Sequence, residues 1–550
     1  MTDAQAFSLM IVFIIGIAVY AAVVNRKRER KATEDKLKRN YGVPFVNEIS
    51  HEHLENLKKI IESEDVNINS EVWHDLDMEK VFACLDQSVS AIGEEYFYLT
   101  LHKLEKDNDL LKKRGCLAEE LKNPDESLDI RKKLCLIKKQ RRYTVYQFIN
   151  TILSAKPGNA LFHIFSLWAF IGSIVLLFIA PQIGVPALIA VACINSISYF
   201  ISKGKIAGYN YSVEVIISWL AAADALKNVK AGGEITKDRI LKISKMSDKF
   251  AKVRRMSWLF APQNAVSSII DIILEYFKFL THIDIVEFNF LIKHLSGHRA
   301  ELDALYREMG ELETGIIIAG IRAFGLPVCE PEFVDDICIE AQGIVHPLVK
   351  NAVANDVSLH GNVLITGSNA SGKSTFLKTV NVNCLLSQTI YTVFAGSYSA
   401  SHLDIATSFD ISDDIVAGDS FYIAEIKRLK KIIDFSSDSD AAVISIDEIL
   451  KGTNTTERIA ASCEILRYLS KSKVLVLAAT HDIELTDLLE GEYENYYFTE
   501  NPDSPDNIFD YKLYKGKNYT GNAIKLLKMH GFPDEIIEKS YKSIEKQRKQ

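Results

Sequence analysis

The chain has 550 residues, of which 25% are charged and 48% hydrophobic, an ordinary globular composition that predicts about three or four domains. Its net charge of −8 excludes a polycationic chain, so a nucleic-acid partner would need a local basic patch. The eight cysteines are scattered without a C-x-x-C pair, which indicates reduced thiols rather than a zinc site or a disulfide framework.

The first predicted element is a transmembrane anchor at residues 1–25. Residues 6–24 are apolar and uncharged, long enough to cross a bilayer, and a mostly basic cluster follows at 26–31. The alternative is a cleaved signal peptide, in which the positive charge precedes the apolar run. Because the basic residues follow the run here, we expect an uncleaved anchor with the N-terminus outside the cell.

Residues 26–81 predict a polar helical linker, and residues 82–330 an all-α domain interrupted by a transmembrane hairpin at 161–201. Two apolar runs flank a turn at 181–186, and basic residues lie beyond both ends of the pair, so both ends are expected inside the cell. The alternative is a buried hairpin of a soluble protein. Residues 265–295 lack proline and glycine and predict one long helix.

A phosphate-binding loop is predicted in the last domain, residues 331–550. A short apolar strand leads into GSNASGKS, which matches G-x-x-x-x-G-K-[ST], and a helix follows. Glycine lets the backbone approach a phosphate closely, and the loop amides and the helix N-terminus attract the anion. Lys373 would reach the β/γ-phosphates of ATP, and the Ser374 hydroxyl would bind Mg²⁺. The predicted ATP-binding residues are Gly367, Ser368, Asn369, Ala370, Ser371, Gly372, Lys373, Ser374 and Thr375.

Two more apolar strands end in polar residues, as in a buried and mostly parallel sheet. The strand at 442–446 ends in Asp447, which would help to hold Mg²⁺, and Glu448, which would orient or deprotonate the attacking water. The strand at 474–479 leads to His481, which would sense the γ-phosphate, although a histidine taken alone is more often a plain surface residue. We therefore predict catalytic roles for Glu448, His481 and Lys373.

From about residue 343 to 542 the chain resembles the ATPase domain of the MutS family of DNA mismatch repair proteins. The motifs that carry the resemblance stand in the family's order: VHPL at 345–348, the phosphate loop, SDDI and GDSF at 412–421, IDE with GTNT at 446–455, ATH at 479–481, and YTG with GFPDE at 519–535. The family usually has Met-Gly-Gly where this chain has 370–372, and a basic residue where it has Asp419.

The resemblance implies an α/β P-loop ATPase domain of ABC type, with ATP and Mg²⁺ bound between the subunits of a homodimer. Ser420 would then touch the γ-phosphate held by the opposite subunit. Residues 82–149 and 209–331 resemble the family's helical core with its long levers, and the hairpin would be an insertion in it. The resemblance gives no counterpart to the family's mismatch-reading domain, because the anchor and the polar residues 26–81 stand in its place. The letters of the family's Phe-x-Glu element occur only at 498–500, inside the ATPase domain.

The leading hypothesis is a MutS-like ATPase in the cell membrane, with three spans, a cytoplasmic ATPase domain and no mismatch recognition. ATP hydrolysis would move the helical levers. DNA is a possible partner, through phosphate contacts of basic residues such as Lys252, Arg254 and Arg255, or these are only solvated helix faces. The alternatives are the ATPase of an export or remodelling system of ABC type, and a scaffold that binds ATP without turnover.

Overall fold

The computed structural model of the protein describes residues 3–44, 49–140, 142–155, 158, 160–230, 232–256, 268–368, 371–409, 421–500, 509–518, 527 and 531–547. The predicted site residues Asn369, Ala370 and Ser420 lie outside these ranges, as do the signature segment at 412–420 and the tail motif at 519–521.

Within the described residues from 3 to 322, the regular elements are all helices, which confirms the predicted mostly helical N-terminal region. They are α1 (Asp3–Asn40), α2 (His51–Ile61), α3 (Ser70–Asp75), α4 (Met78–Leu85), α5 (Ala91–Leu101), α6 (Asn108–Glu120), α7 (Leu128–Leu134), α8 (Val145–Ser154), α9 (Ala160–Ile179), α10 (Pro181–Ile206), α11 (Asn210–Leu226), α12 (Glu234–Lys249), α13 (Ala251–Met256), α14 (Ser268–Thr281), α15 (Ile283–Ser296) and α16 (Arg299–Arg322).

The segment predicted as a polar linker is helical, and its second half packs into the core. Leu54, Leu57 and Ile60 recur every three residues and form one buried face of α2. In α3, Trp73 is buried and stacks on His102 with ring centroids 3.6 Å apart. Exposed polar residues such as Glu55 and Lys59 cover the outer face, so the average composition conceals a set of core helices.

Two of the described helical stretches, Ala160–Ile179 and Pro181–Leu226, are long and apolar enough to cross a membrane. Side chains such as Phe165 and Phe178 are 72% and 81% exposed. The turn is shorter than predicted, because Pro181 already begins α10, where its missing N–H costs no helical hydrogen bond. Gly184 lets α10 approach α9, since a Cβ there would lie 2.4 Å from the Leu177 Cα.

The predicted third span, the N-terminal anchor, lies within α1, but most of its side chains between residues 6 and 24 are outside the described part. The second run of the hairpin does not end at residue 201. The helix continues to Ile206 and passes through a short 3₁₀ turn at Ala207–Tyr209 into α11.

The long helix predicted at residues 265–295 is wrong, because α14 and α15 are separate helices. His282 lies between them with φ of 57°, in the left-handed region. Its Nε2 is 2.8 Å from the Asn195 carbonyl oxygen, and its Nδ1 is 3.0 Å from Nδ1 of His163. These contacts with the hairpin stabilise the break between α14 and α15. They join distant residues, so a local sequence pattern could not predict them.

The C-terminal region is α/β, as predicted. Its elements are β1 (Glu332–Phe333), β2 (Ile339–Ile344), β3 (Asn355–Leu359), β4 (Val363–Thr366), α17 (Lys373–Ile390), β5 (Ser397–Ala400), β6 (Asp404–Ser408), α18 (Phe421–Asp438), β7 (Ala442–Asp447), α19 (Thr455–Leu469), β8 (Val474–Thr480), α20 (Glu484–Leu488), β9 (Glu494–Glu500), β10 (Phe509–Lys515) and α21 (Asp534–Gln547).

The larger sheet has the strand order β10-β9-β4-β8-β7-β6, and a smaller one has the order β1-β5-β2-β3. In the larger sheet all neighbours are parallel except β10, which pairs antiparallel with β9. Alternate residues of β4 face opposite cores: Ile365 packs in the cluster that contains residues of α17, and Leu364 in the cluster with α18 and α19. Helices therefore cover both faces of the sheet, which explains its continuously apolar strands.

Candidate functional site

The predicted motifs meet at one edge of the larger sheet. Strand β8 lies between β4 and β7, and the register pairs Thr366 with Thr480 and Ala479 with Asp447. Because these strands are parallel, the loops that follow them leave the sheet on the same side. The phosphate loop, His481 and the Asp447–Glu448 pair are consequently neighbours.

The described part of the phosphate loop is tight. Gly367 has φ of 150°, and a Cβ there would lie 2.9 Å from the Ser371 Oγ and 3.0 Å from the Phe498 carbonyl oxygen. Gly372 has φ of 111° and directly precedes α17. Both positions therefore favour glycine. At Gly367 a side chain would lack space, and at both residues the backbone angle is one that other residues rarely adopt.

Lys373 is the first residue of α17 and is only 4% exposed. Its Nζ donates hydrogen bonds to the carbonyl oxygens of Gly367, at 2.6 Å, and Ser368, at 2.9 Å. The side chain thus lies along the inside of the loop. Thr375 follows on the exposed first turn of the same helix.

Ser374 and Asp447 form the oxygen-rich part of the site. The Ser374 hydroxyl donates a hydrogen bond to Asp447 Oδ2, while the buried Oδ1 of Asp447 has no hydrogen-bond partner among the described residues. A buried carboxylate oxygen without a partner is costly, and carboxylate and hydroxyl oxygens are the ligands that Mg²⁺ prefers. These two residues therefore fit a magnesium ion.

Glu448 and His481 form a close pair, with 2.5 Å between Glu448 Oε1 and His481 Nε2. The His481 Nδ1 lies 3.5 Å from the Lys373 Nζ, so the histidine connects the carboxylate to the phosphate loop. The hydrogen bond from His481 is the main cause that lowers the pKa of Glu448 to about 2, against the effect of burial, and Lys451 at 3.3 Å adds to it. Glu448 is therefore an anion at neutral pH.

The backbone at Glu448 is itself unusual. Its φ of 60° lies in the left-handed region, which costs energy for a residue other than glycine. Its N–H donates to the Ala479 carbonyl oxygen at 2.9 Å, which keeps the end of β7 against β8. The strained turn aims the carboxylate toward His481 rather than along the strand.

Three charged residues that form ion pairs near the site, Lys451, Arg458 and Asp482, were missed by the sequence analysis. Arg458 on α19 donates two hydrogen bonds, of 2.8 and 2.6 Å, to the carboxylate of Asp482, directly after His481. The Asp482 N–H also donates to the Thr480 Oγ1 at 3.0 Å. This pair fixes the loop that carries His481. Lys451 lies three residues after Glu448, so the local sequence could have indicated this pair. Arg458 and Asp482 are too far apart in the chain for a local pattern to indicate theirs.

Helix α3 of the helical region contacts the C-terminal α/β region. Asp75, 3% exposed, accepts hydrogen bonds from the Thr407 Oγ1 at 2.8 Å, the Phe409 N–H at 3.2 Å and the Arg428 Nη2 at 2.7 Å. Thr407 lies on β6, Phe409 directly follows that strand and Arg428 lies on α18, so the partners flank the predicted signature segment on both sides. Sequence analysis assigned no chemistry to Asp75.

The predicted basic residues near 252–255 are not all available to a partner. The Arg254 Nη2 lies 2.8 Å from the Asp224 Oδ1, and its Nη1 donates to the Ser247 Oγ at 2.9 Å. Lys252 and Arg255 are exposed. A phosphate-binding patch at this place would rest on those two side chains.

Comparison with known proteins shows what the C-terminal region is similar to. Residues 363–548 match MutS domain V. The chain is 27% identical over 275 residues to the DNA mismatch repair protein MutS of Fusobacterium nucleatum subsp. nucleatum, covering 47% of this chain and 30% of that protein. It is 29% identical over 275 residues to the DNA mismatch repair protein MutS of Thermotoga sp. (strain RQ2), covering 47% of this chain and 33% of that protein. The chain thus spans about a third of the length of these relatives.

Proposed function

Because residues 363–548 match MutS domain V and the chain is similar to MutS proteins over about half of its length, we propose that the chain is a member of the MutS family and that its C-terminal region is a P-loop ATPase of ABC type that binds and hydrolyses ATP. The observation that carries the proposal is the convergence of Lys373, Ser374, Asp447, Glu448 and His481 at one sheet edge. Lys373 and Ser374 follow the phosphate loop, Asp447 and Glu448 lie at the end of β7, and His481 follows β8. Each has a side chain suited to one part of the reaction.

In this proposal the loop amides and Lys373 hold the phosphates. Ser374 and Asp447 hold Mg²⁺, which supplies positive charge next to the phosphate oxygens. Glu448, an anion at neutral pH whose negative charge the pairing with His481 stabilises, orients the attacking water or deprotonates it. His481 contacts both Glu448 and Lys373, so a change at the γ-phosphate alters its position.

We propose a homodimer in which Ser420 of each subunit completes the other subunit's site, as the resemblance implies. ATP binding would bring the subunits together, and hydrolysis would release them and move the helical levers. The contact of Asp75 with β6 and α18 supports this coupling, because it links the helical region to both sides of the signature segment.

We also propose that the chain is anchored in the cell membrane, with the ATPase domain in the cytoplasm. The exposed apolar side chains of α9 and α10 support this proposal, since a bilayer would cover them. The relatives are DNA mismatch repair proteins by name. DNA is therefore a proposed partner, bound through phosphates rather than read by sequence.

The decisive experiment measures ATP turnover by the purified full chain in lipid nanodiscs, with and without Mg²⁺ and with paired, branched or mismatched DNA. We expect turnover that requires Mg²⁺. Binding of ATP without turnover would instead indicate the scaffold. Turnover that DNA leaves unchanged, with no DNA binding, would favour the export or remodelling ATPase of ABC type.

A further inference from the structure

A cleft of about 790 Å³ lies far along the chain from the phosphate loop, between the C-terminal half of α1 and the helices α2, α5 and α7. Its volume is in the range of small-molecule sites. The lining includes several charged side chains, and one of them, Arg131, is 2% exposed.

Arg131 carries a buried charge without a counter-ion. Its Nη1 and Nη2 donate to the carbonyl oxygens of Leu37, at 2.9 Å, and Pro124, at 2.6 Å, and its guanidinium lies 4.8 Å from the centre of the Tyr41 ring. In the described part of the chain, the Nε has no hydrogen-bond partner and no carboxylate forms an ion pair with the guanidinium, although Asp125 acts on it at longer range. A buried cation in such surroundings is costly, and a bound anion would compensate it.

The other charges of the cleft leave a positive surplus. Lys36, Arg131, Lys138 and Lys139 contribute four positive charges and Asp86 and Glu94 two negative ones, so the lining carries +2 with its histidine neutral. Both carboxylates are already paired, because the Lys139 Nζ lies 2.6 Å from Asp86 and 3.4 Å from Glu94. The surplus positive charge therefore comes from Arg131, Lys36 and Lys138.

We propose that this cleft binds a small soluble molecule with a phosphate monoester, placed with its phosphate beside Arg131. A phosphate monoester carries close to two negative charges at neutral pH and so matches the surplus, whereas one carboxylate supplies only half of it. The buried Ser88 hydroxyl, which lines the cleft and has no partner among the described residues, offers a further hydrogen bond.

A lipid headgroup is the other source of phosphate. The predicted span ends at residue 24, and the first lining residue is Thr33, about 14 Å further along a helix at 1.5 Å per residue. That distance separates the cleft from the phosphates at the membrane surface. The position on α1 therefore favours a soluble ligand.

The test is a calorimetric titration of the full chain with inorganic phosphate in phosphatidylcholine nanodiscs. The starting protein carries Lys373→Met, so that the phosphate loop does not contribute, and the readout does not depend on ATP hydrolysis. We expect saturable binding of one phosphate per chain. Adding Arg131→Met should weaken it at least tenfold, and adding Lys138→Ala about threefold. Lys133→Ala, on the same helix as Arg131 but outside the lining, is the matched control and should change nothing.

Absence of saturable binding, or equal affinity with and without Arg131→Met and Lys138→Ala, would overturn the proposal. Lys138 is exposed, so its variant remains informative if Arg131→Met does not fold. Repeating the titration in nanodiscs that contain phosphatidylglycerol separates the two sources. Unchanged affinity supports the soluble ligand, and competition by the anionic lipid would replace it with a headgroup.

Discussion

The ion pair of Glu448 and His481 gives the site its proposed base. Since the pKa of Glu448 is lowered to about 2, its carboxylate is ionised throughout the physiological range. Glu448→Gln removes the proton acceptor but keeps the shape of the side chain, so we expect ATP binding near the wild-type value and turnover reduced by about 10²- to 10⁴-fold. The measurement is steady-state turnover together with an ATP binding titration.

Glu464→Gln is the control for this variant, because that side chain is 70% exposed on α19 and pairs with Arg467 on the surface. It should leave both quantities unchanged. Turnover of Glu448→Gln within a few-fold of the wild type would show that another group activates the water.

Lys373 supplies the positive charge inside the phosphate loop. Lys373→Met keeps most of the side-chain volume at a position that is 4% exposed, but removes the charge. We expect ATP affinity to fall at least tenfold, about 1.4 kcal/mol, because the loop amides alone then hold the polyanion. Titration with a fluorescent ATP analogue measures it. Lys430→Met, on the exposed face of α18, should bind as the wild type does, and equal affinity in both variants would refute the assignment of the loop.

At the scale of elements, Asp75 joins α3 to β6 and α18. Its side chain is 4% exposed and forms an ion pair with Arg428 at 2.7 Å. Asp75→Asn should destabilise the full chain by about 3–5 kcal/mol, because the variant leaves Arg428 without its buried partner. Thermal unfolding is the measurement. Glu71→Gln removes the more exposed partner of the same arginine and should cost at most about 1 kcal/mol. A larger loss in Glu71→Gln than in Asp75→Asn would contradict this reading.

The α9–α10 hairpin gives a prediction of topology. If both of its ends are cytoplasmic, its turn faces the outside. Gln182→Cys, exposed in the first turn of α10 next to the hairpin's bend, should react with a membrane-impermeant thiol reagent in intact cells more than the wild type does. Lys205→Cys, at the other end of α10, should react only after permeabilisation. Reaction of both before permeabilisation, or of neither after it, would reject a membrane-spanning hairpin.

Local signals explain which parts of the protein could be predicted. The turn after β4, the apolar strands and the polar residues at their ends are each encoded within a few neighbouring residues. Parallel pairing then brings Lys373, Asp447 and His481 together without further information. The apolar α9 and α10 were predictable for the same reason, since composition over one helix decides their character.

Contacts between distant segments account for what the sequence did not reveal. The break at His282 depends on Asn195 and His163, and the buried role of Asp75 depends on Arg428. The polar average of residues 26–81 concealed the buried face of α2. For His282 and Asp75 the deciding partner lies many residues away, so no local pattern records the contact. The buried face of α2 does have a helical spacing, at Leu54, Leu57 and Ile60, which the polar average obscured.

At the scale of the whole molecule, mismatch recognition is the property that we expect to separate this chain from its named relatives. The matched region covers about a third of each MutS relative, so the activity in their name does not transfer automatically to this chain. Mismatch reading requires an inserted side chain that kinks an unstacked step, with contacts that hold the bend. The Phe-x-Glu sequence at residues 498–500 cannot serve as the inserted wedge. Phe498 is 2% exposed and packs against Phe376 beside the phosphate loop, with ring centroids 5.8 Å apart.

We therefore expect the full chain not to distinguish mismatched from paired duplex DNA. Any affinity would come from phosphate contacts of exposed basic residues such as Lys252 and Arg255, which carry no base information. Such affinity should fall steeply with salt and change little with sequence. Competition binding in nanodiscs, with paired and single-mismatch duplexes of one length, measures the ratio. Lys252→Ala with Arg255→Ala should weaken both duplexes equally. A tenfold preference for the mismatch, about 1.4 kcal/mol, would demand a reading element elsewhere in the chain.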